Sequence, residues 1–528
     1  MFIPRVKCEK MSGCTAISAQ VRVYYGGKEE KRLSAVLGEF TPYLSFSAVE
    51  AAEDADLVVR IDAEISDRAE YYKLTSHGGR VTVVATDFRG LVGAAATLSQ
   101  MIIEKDGALF LLDGDITDYP DKGFRGFMVD VGRKYIPMDE FRAQILMVAK
   151  SKMNKLHLHL LDTQGCSVDF DSYKLIPSPD ARGRKYSKDD LRALVAYAAI
   201  FDIDVIPEMD MPGHSFNLTN AYPEMRCDTD NPNGWAACIS TEATYDYART
   251  ILTEVAEIFP YEYLHVGTDE IDMKDIISSR YNAPQVQDWE RCRRCNEFFG
   301  KMGLHTTTER FYYFLRRVYD IVKSLGKKMM MWNDNIDISV SPDLPRDILI
   351  HFWRVAAPMR GPREGCSMQR FLDEGFEVVC SDYPNTYANA EYMEWERLKA
   401  WNVEREPADA GDRAHLILGP VMCAWENPPN LKHSIYTAVP AFADRAYDLR
   451  PIDDEPSFNL ALSRFVLGPS LPEGVDLFGK HLYAPLMFDN ERSPIVEGAE
   501  EEFGSLLDSL RLLSEYEKHA IAAYKRWL

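Results

Sequence analysis

The sequence predicts an α/β protein in which a closed (β/α)8 TIM barrel follows a small α/β domain and precedes a C-terminal helical segment. Two observations support this fold class. Apolar runs of strand length recur eight times between residues 124 and 425, with amphipathic helical stretches in most of the intervals. Polar and aromatic residues follow each run, where a parallel barrel carries its functional groups. A doubly wound open sheet is the alternative, and the count of eight favours the barrel.

Residues 1–120 form a block of their own before the barrel. Its strand-like segments and its one clearly helical segment are, in order, Val21–Tyr25, Leu57–Ile61, Val81–Ala85 and the helical Gly90–Ile103. A polar turn region that contains Pro120 ends the block. We therefore predict a small α/β domain over residues 1–120.

The barrel is predicted over residues 121–448. Its eight strands are expected at Phe124–Val131, Lys155–Leu161, Asp204–Met209, Tyr263–Val266, Lys328–Trp332, Ile348–Trp353, Glu377–Cys380 and Ile417–Trp425. Its clearest helices are expected at Met138–Ser151, Lys188–Phe201, Tyr245–Ile258 and Thr307–Leu325. The remaining residues, 449–528, are predicted as a mostly helical extension with helices at Glu497–Tyr516 and Lys518–Leu528.

The bulk composition excludes several classes of protein. The chain has 528 residues, 46% of them hydrophobic, a formal net charge of -22 and a sequence pI of about 5.0. Such an acidic chain is not expected to bind nucleic acid or an anionic membrane as its main partner. No run approaches the roughly 18 apolar residues of a membrane span, and the first ten residues contain no apolar core of signal-peptide length. We therefore expect a cytoplasmic protein.

The ten cysteines are scattered along the chain, and Cys238, Cys380 and Cys423 stand inside apolar runs that resemble strands. This distribution is typical of reduced, buried thiols. The close pair Cys292 and Cys295 has the spacing of half a zinc site, but no second close pair follows it. We therefore predict neither a metal ion nor a cofactor.

The segment Tyr263–Glu270 reads Tyr-Leu-His-Val-Gly-Thr-Asp-Glu. It is a short apolar strand that stops at Gly267 and Thr268 and then presents two adjacent carboxylates. Like charges held close together push their pKa values apart, so one group can stay ionised while the other keeps a proton. Acid–base catalysis requires such a division, and Asp269 and Glu270 are the predicted catalytic pair. The structural alternative is an N-cap Asp and a first-turn Glu that open the next helix.

The other predicted strands end in the same kinds of residue. These ends are Asp130–Arg133, His157–Asp162, Pro207–His214, Trp332–Asp334, Trp353–Arg354, the loop with Tyr383 and Tyr387, and Trp425–Asn427. Each has a structural explanation by itself, such as an ion pair between Arg133 and Asp130. Together they predict a pocket for a sugar ring, in which aromatic walls stack on its faces and polar groups orient its hydroxyls.

These motifs resemble glycoside hydrolase family 20, the β-N-acetylhexosaminidases. The family pattern His-x-Gly-(Gly/Ala)-Asp-Glu appears as His265–Glu270, and Pro207–Ser215 is nearly identical to a second family block. Arg125–Arg133 and Lys152–Gly165 match the blocks of the first two strands, and residues 71–103 resemble the small domain that precedes the barrel. The resemblance covers roughly residues 50–448.

The resemblance implies a retaining mechanism in which the 2-acetamido oxygen of the substrate attacks the anomeric carbon and forms an oxazolinium intermediate. Glu270 would be the general acid and then the base, and Asp269 would hold the acetamido N–H. Arg133 would clamp the C3 and C4 hydroxyls, and Tyr387 would donate to the acetamido oxygen. The implied sugar-contacting walls are Trp332, Trp353 and Trp425, and the implied supporting residues are Asp162, His214, His159 and His265.

Several positions depart from the family pattern. Thr163, Cys166 and Thr268 replace other residue types near the site. Asn389 and Asn427 stand where the family usually has acids that bind the C4 and C6 hydroxyls. In this family an Asn at the first of these positions occurs in members that accept 6-sulfated sugars, which leaves the identity of the substrate open.

The predicted function is therefore an exo-acting retaining β-N-acetylhexosaminidase that acts on oligosaccharides with a terminal β-linked GlcNAc or GalNAc. One variant of this prediction is specialisation for 6-sulfated or otherwise 6-substituted GlcNAc. A rival is a catalytically inactive carbohydrate-binding or regulatory protein on the same fold. Another is metal-assisted hydrolysis with His157, His159 and His214 as ligands. Oligomeric state, linkage preference and the choice between GlcNAc and GalNAc stay open.

Overall fold

The computed structural model describes residues 1–27, 29–229, 236–271, 288–338, 343–353, 367–383, 385–388, 395–405, 408–425 and 431–468. Five predicted features lie outside these ranges: Arg354, Asn389, Asn427 and the two helices expected after residue 496. The described chain contains two β-sheets, one on each side of residue 120.

The first sheet contains eight strands. They are β1 (Cys8–Ile17), β2 (Gln20–Tyr25), β3 (Ser45–Ala48), β4 (Leu57–Ile61), β5 (Tyr72–His77), β6 (Arg80–Ala85), β7 (Ile102–Lys105) and β8 (Ala108–Asp118). The strand order is β1-β8-β5-β6-β4-β2-β3, and β7 pairs with β8. The helices Glu30–Phe40 and Phe88–Met101 accompany this sheet. The three predicted strands are confirmed as β2, β4 and β6.

The predicted helix Gly90–Ile103 is correct except at its ends. Asp87 is the N-cap residue and accepts a hydrogen bond from the Gly90 N–H, so the helix begins at Phe88. Ile102 and Ile103 leave the helix and pair with the strand Ala108–Asp118. These β-branched side chains favour an extended backbone, and the antiparallel partner satisfies their backbone groups.

The second sheet is the barrel, and its strands confirm all eight predicted runs to within two residues at each end. They are β9 (Gly126–Asp130), β10 (Lys155–Asp162), β12 (Asp204–Met209), β13 (Tyr263–His265), β14 (Lys328–Trp332), β15 (Leu349–Phe352), β16 (Val378–Cys380) and β17 (Ile417–Ala424), with the short β11 (Gly165–Cys166) paired antiparallel to β10. The last strand pairs with the first, and the first pairs with the second, so the parallel barrel is closed. The open-sheet alternative is therefore wrong.

Helices follow most barrel strands. The described α-helices of this region are Met138–Lys150, Lys188–Ile200, Phe216–Ala221, Glu242–Ile258, Asp288–Arg291, Arg293–Gly300, Thr307–Ser324, Met368–Asp373, Trp395–Ala400, Leu431–Tyr447 and Glu455–Leu467. Two of them begin with a capping box, Ser187 with Asp190 and Thr306 with Glu309. Each box satisfies backbone N–H groups that the first turn of a helix would otherwise leave without partners.

The barrel strands are continuous apolar runs because both of their faces are buried. All eight residues of Lys155–Asp162 are buried, and so are all five of Gly126–Asp130. Within the described residues, no helix combines the length and the apolarity that crossing a membrane requires.

The first domain is joined to the barrel by a buried polar network. Lys152, in the turn before the second barrel strand, lies 2.7 Å from Asp118 of the first domain. The hydroxyls of Tyr72 and Tyr447 donate to the same carboxylate at 2.8 and 3.0 Å. Arg125 of the barrel pairs with Glu70 of the first domain. The network therefore contains residues of both sheets.

Candidate active site

The chain makes a tight turn directly after the fourth barrel strand. Gly267 has a φ of +68°, and a Cβ there would lie 1.9 Å from Oδ1 of Asp210. Thr268 and Glu270 also adopt positive φ values, 82° and 49°. Glu270 is therefore not the first-turn residue of a helix, as the structural alternative required. Residues other than glycine rarely adopt a positive φ, and positive φ values at neighbouring positions are typical of functional sites.

Asp269 is almost completely enclosed, with 8% of its surface exposed. Burial raises the pKa of Asp269 to about 7; the neighbouring Asp334 adds to the increase, and His214 opposes it. The Asp269 Oδ1 atom accepts no hydrogen bond from any residue that the structure describes. A buried acceptor of this kind is suited to a donor on a bound ligand.

His214 connects the two carboxylates to a third. Its Nε2 atom lies 3.5 Å from Asp269 Oδ2 and 3.4 Å from Glu270 Oε2, and its Nδ1 atom lies 3.2 Å from Asp162 Oδ1. Burial opposes a charge on His214, but Asp162 and Asp269 outweigh it and raise the pKa of the imidazole well above its usual value. Glu270 is the more accessible carboxylate, since 21% of its side chain is exposed.

Arg133 lies between two buried carboxylates. Its guanidinium is 2.8 Å from Asp130 Oδ2 and 2.7 Å from Asp162 Oδ2, and it also lies 5.5 Å from the ring centre of Trp425. Burial would raise the pKa of Asp162, but the charges of Arg133 and His214 hold it well below its usual value. The structure thus contains the ion pair between Arg133 and Asp130 that the sequence suggested. Through Asp162, Arg133 also joins the first barrel strand to the second.

The predicted aromatic residues converge on the same end of the barrel. Trp353 and Tyr387 stack with their ring centres 6.3 Å apart, and Trp332 and Trp425 lie 5.7 Å apart. The Trp353 indole N–H donates to Asp334 at 3.1 Å. The Glu270 backbone N–H donates to the same carboxylate at 2.9 Å. Asp334 therefore fixes an aromatic wall relative to the predicted catalytic acid.

Trp332 is only 1% exposed and lies deeper than the other aromatic residues. Its indole N–H donates to Glu208 at 2.6 Å, and its ring stacks on His351 at 3.8 Å between ring centres. Glu208 also lies 3.2 Å from Nδ1 of His265 and 2.8 Å from Nδ1 of His159. The structure thus places two of the supporting histidines, His159 and His265, around Glu208, and His159 in addition reaches Asp162 at 2.8 Å.

Sequence reasoning did not assign a role to Glu208, Asp210, Asp334 or His351. The signal was present for three of them, because Glu208 and Asp210 lie in the strand end Pro207–His214 and Asp334 lies in the strand end Trp332–Asp334, both of which were already noted. Nothing local distinguishes His351, which lies in a buried strand. The expectation that Cys238 lies in a strand is wrong, since it belongs to the loop after the third barrel strand.

Known proteins share this architecture. Residues 123–447 match the catalytic domain of glycosyl hydrolase family 20, and residues 3–119 match domain 2 of the same family. Beta-hexosaminidase subunits A1 and A2 of Dictyostelium discoideum are each 28% identical to this chain, over 75% and 68% of its length. The chain spans 72% and 63% of those two relatives.

Solved structures agree on the fold. The Flavobacterium johnsoniae chitobiase superposes with a TM-score of 0.73 at 23% identity, over 88% of this chain and 72% of that one. The exo β-N-acetylglucosaminidase of Vibrio harveyi in complex with N-acetylglucosamine superposes with a TM-score of 0.74 at 19% identity, over 89% and 78%.

A closed parallel barrel with paired carboxylates and an aromatic pocket at the carboxyl ends of its strands is the arrangement of many glycoside hydrolases, and the family match assigns this chain to that class. The family match covers more than half of the chain. The chain belongs to glycosyl hydrolase family 20.

Proposed function

We propose that the chain is an exo-acting β-N-acetylhexosaminidase, which hydrolyses terminal β-linked GlcNAc or GalNAc with retention of configuration through substrate-assisted catalysis. One observation carries the proposal: Asp269 has a buried acceptor atom to which no described residue donates, beside the more exposed Glu270, and His214 lies within 3.5 Å of both. The acceptor matches the N–H group of a 2-acetamido substituent, and the exposed carboxyl group matches a proton donor to a leaving group.

In the first step, Glu270 donates its proton to the glycosidic oxygen. The bond between that oxygen and the anomeric carbon breaks while the acetamido oxygen of the substrate forms a bond to the same carbon. The products are a free aglycone alcohol and an oxazolinium ion. Asp269 accepts the acetamido N–H through Oδ1, and its negative charge stabilises the positive charge that develops on the ring.

In the second step, the Glu270 carboxylate removes a proton from a water molecule. The water oxygen attacks the anomeric carbon and displaces the acetamido oxygen, which opens the oxazolinium ring. Two inversions at one carbon give net retention, and Glu270 is protonated again for the next cycle. His214, paired with Asp162, lies next to Glu270 and supplies a positive charge that favours the carboxylate formed after the first step.

Sugar binding is assigned to the residues around this pair. Arg133 is held by Asp130 and Asp162 in a position to bind the C3 and C4 hydroxyls. Trp353 and Tyr387 stack together and form one side of the acetamido pocket, with the Tyr387 hydroxyl as donor to the acetamido oxygen. Trp332 forms the floor, and Trp425, which Arg133 contacts, forms the opposite wall.

Two rival functions receive less support. A carbohydrate-binding protein without activity needs no paired carboxylates, yet both are present and both contact His214. Metal-assisted hydrolysis requires converging ligands, but among the described residues His157, His159 and His214 belong to three different groups of potential ligands, although two of these groups share Asp210. Specialisation for 6-sulfated sugars and the cytoplasmic location remain sequence-based predictions.

The direct test is the release of nitrophenol from the aryl β-glycosides of GlcNAc and GalNAc. We expect turnover of at least one of them, and we expect Glu270→Gln to reduce turnover of an unactivated oligosaccharide by about 10²–10⁴-fold, the usual contribution of a general acid. Binding of N-acetylglucosamine oligomers without any cleavage would support the inactive rival instead. Turnover that Glu270→Gln leaves undiminished would also contradict the assignment.

A further inference from the structure

Four buried cysteines that the proposed mechanism does not use meet at one point beside the barrel. Cys227 and Cys238 lie in the long loop after the third barrel strand, and Cys292 and Cys295 lie at the start of the helix Arg293–Gly300, after the fourth. The four sulfur atoms all lie within 4.8 Å of one another. The convergence joins two pairs of cysteines that are more than fifty positions apart in the chain.

The distances fit a shared ion better than a disulfide. All four cysteines are free thiols, and the sulfurs of Cys238 and Cys295 are 3.6 Å apart. A disulfide bond would place them about 2.05 Å apart. Four thiolates at the usual Zn–S distance of about 2.3 Å in a tetrahedron have sulfurs about 3.8 Å apart, close to the observed spacing.

The surroundings of Cys292 are those of a metal-bound thiolate. The backbone N–H groups of Asp228 and Cys295 both point at its Sγ atom, at 3.3 and 3.5 Å. Cys292 is also the N-cap residue of the helix that follows, and Cys-x-x-Cys is the usual spacing of zinc ligands. Ser240 Oγ lies 3.2 Å from Cys238 Sγ and 3.4 Å from Cys295 Sγ. Such outer hydrogen bonds orient thiolate ligands and stabilise their charge.

We propose that Cys227, Cys238, Cys292 and Cys295 bind one Zn²⁺ ion in a structural, four-thiolate site. Four protein ligands complete a tetrahedron, so the ion has no open position for a water molecule or a substrate. Sulfur ligands in this geometry select zinc over magnesium, calcium or manganese. The proposal revises the sequence-based prediction of no metal. That prediction rested on the absence of a second close pair of cysteines after Cys295. Cys227 and Cys238 come before Cys292 and are eleven positions apart, so they do not form such a pair.

The site links the two loops that carry the catalytic residues. The Trp289 indole N–H donates to the Ala237 carbonyl at 2.9 Å, and the Ala237 N–H donates to the Pro212 carbonyl at 2.7 Å. Gly213 packs so closely on Asp269 that a Cβ would lie 2.7 Å from its carbonyl oxygen. The zinc ion would therefore hold the loop with His214 against the loop with Asp269, without taking part in the reaction.

The first test uses the unaltered protein, purified under reducing conditions without chelators. We expect about one zinc per chain by elemental mass spectrometry. Titration with an organomercurial reagent should release the zinc in proportion to the four thiols modified. Replacement by Co²⁺ should give the intense visible bands of tetrahedral thiolate coordination. Iron in place of zinc, or neither zinc binding nor the cobalt spectrum, would overturn the proposal. None of these measurements depends on glycosidase activity.

The second test compares two buried cysteines. Cys295→Ala should lose the zinc and lower Tm by roughly 5 °C or more, because a structural metal stabilises the folded state by its binding free energy. Cys380→Ala, at a fully buried cysteine in the seventh barrel strand, is the matched control and should keep about one zinc per chain. Equal zinc contents in the two variants would contradict the assignment. If Cys295→Ala does not fold, the mercurial and cobalt measurements on the unaltered protein still decide the question.

Discussion

Burial opposes a negative charge on Asp269, whereas the proposed reaction requires that charge. Its pKa is raised to about 7, first by burial and then by neighbouring carboxylates, among them Asp334. A neutral Asp269 can orient an acetamido group but stabilises a positive oxazolinium ring poorly. At the residue scale, the activity should therefore depend on how far this one group is ionised.

The first prediction is a pH dependence of kcat/KM. An acid with a pKa near 7 is ionised only above that pH, so kcat/KM should rise as the pH increases through about 7 on the acidic side of the profile. The measurement is kcat/KM for an aryl β-GlcNAc substrate between pH 4 and pH 9. An acidic limb that levels off near pH 4, the ordinary range of an Asp, would show that Asp269 does not control it.

The second prediction concerns Asp269→Asn, which should lower turnover by about 10²–10³-fold and remove the acidic limb. The same change should increase stability at high pH. A carboxyl group whose pKa is raised on folding binds its proton more tightly when folded, so native stability falls as the pH rises from about 4 to 7.

The amide side chain of Asn does not titrate in this pH range, so the variant lacks the loss of stability that ionisation of Asp269 causes. The Tm of Asp269→Asn should therefore exceed that of the unaltered protein at pH 8 and approach it at pH 5, as measured by calorimetry at both pH values. A lower Tm for the variant at pH 8 would indicate that the carboxylate stabilises the fold instead.

At the scale of a single element, the turn after the fourth barrel strand is shaped by one close approach. Gly267 adopts a φ of +68°, and Asp210 occupies the space that a Cβ would need. The Asn335 side chain donates to the Thr268 carbonyl at 2.9 Å and holds the turn from the other side. The conformation of the two residues that follow, Asp269 and Glu270, depends on this turn.

The third prediction is that Gly267→Ala destabilises the protein by more than about 3 kcal/mol and removes most activity. Both backbone strain and a steric clash with Asp210 contribute. Gly326→Ala is the matched control, because Gly326 has a φ of +71° with open space around its Cβ position. It should cost about 1 kcal/mol and leave kcat unchanged. Urea unfolding measures the loss of stability, and steady-state kinetics measure the loss of activity. An equal loss of unfolding free energy in the two variants would mean that the clash between the new methyl group and Asp210 is relieved in Gly267→Ala.

At the scale of the whole molecule, the two sheets are joined through a buried ion pair. The side chains of Lys152 and Asp118 are 2% and 0% exposed and lie 2.7 Å apart. Burial lowers the pKa of Lys152, and Asp118 opposes that decrease. Tyr72 and Tyr447 satisfy the same carboxylate. Removal of one partner would leave the other buried without the counter-charge it is paired with.

The fourth prediction is that Asp118→Asn destabilises the protein by about 3–5 kcal/mol, the usual cost of breaking a buried pair. The matched control is Asp347→Asn, which breaks an exposed pair with Lys323 whose side chains are 43% and 45% exposed. That change should cost less than about 1 kcal/mol. Chemical unfolding at pH 7 gives both values. A similarly small loss of unfolding free energy in both variants would show that the buried network does not stabilise the contact between the two sheets.

Much of this molecule follows from short-range sequence patterns. The eight barrel strands and the carboxylate pair Asp269–Glu270 were predicted because each depends on a run of neighbouring residues. A strand buried on both faces must be apolar along its length, and a catalytic pair must follow a strand directly to stand at the mouth of a barrel. The ends of elements were less predictable, as Ile102 and Ile103 show, since a strand distant in sequence decides where they belong.

Other features exist only because strands that are distant in sequence lie side by side. Glu208 meets His159 and His265 because three parallel strands place their side chains in one interior, and nothing near each residue indicates the partner. The four cysteines around Cys292 likewise come from two loops that the third and fourth strands bring side by side. The sequence by itself thus determined the fold class and the polar and aromatic residues that stand at the strand ends, Asp269 and Glu270 among them, because these depend on local pattern. Only the tertiary structure decided which buried charges and thiols meet, because those contacts join positions that are distant along the chain.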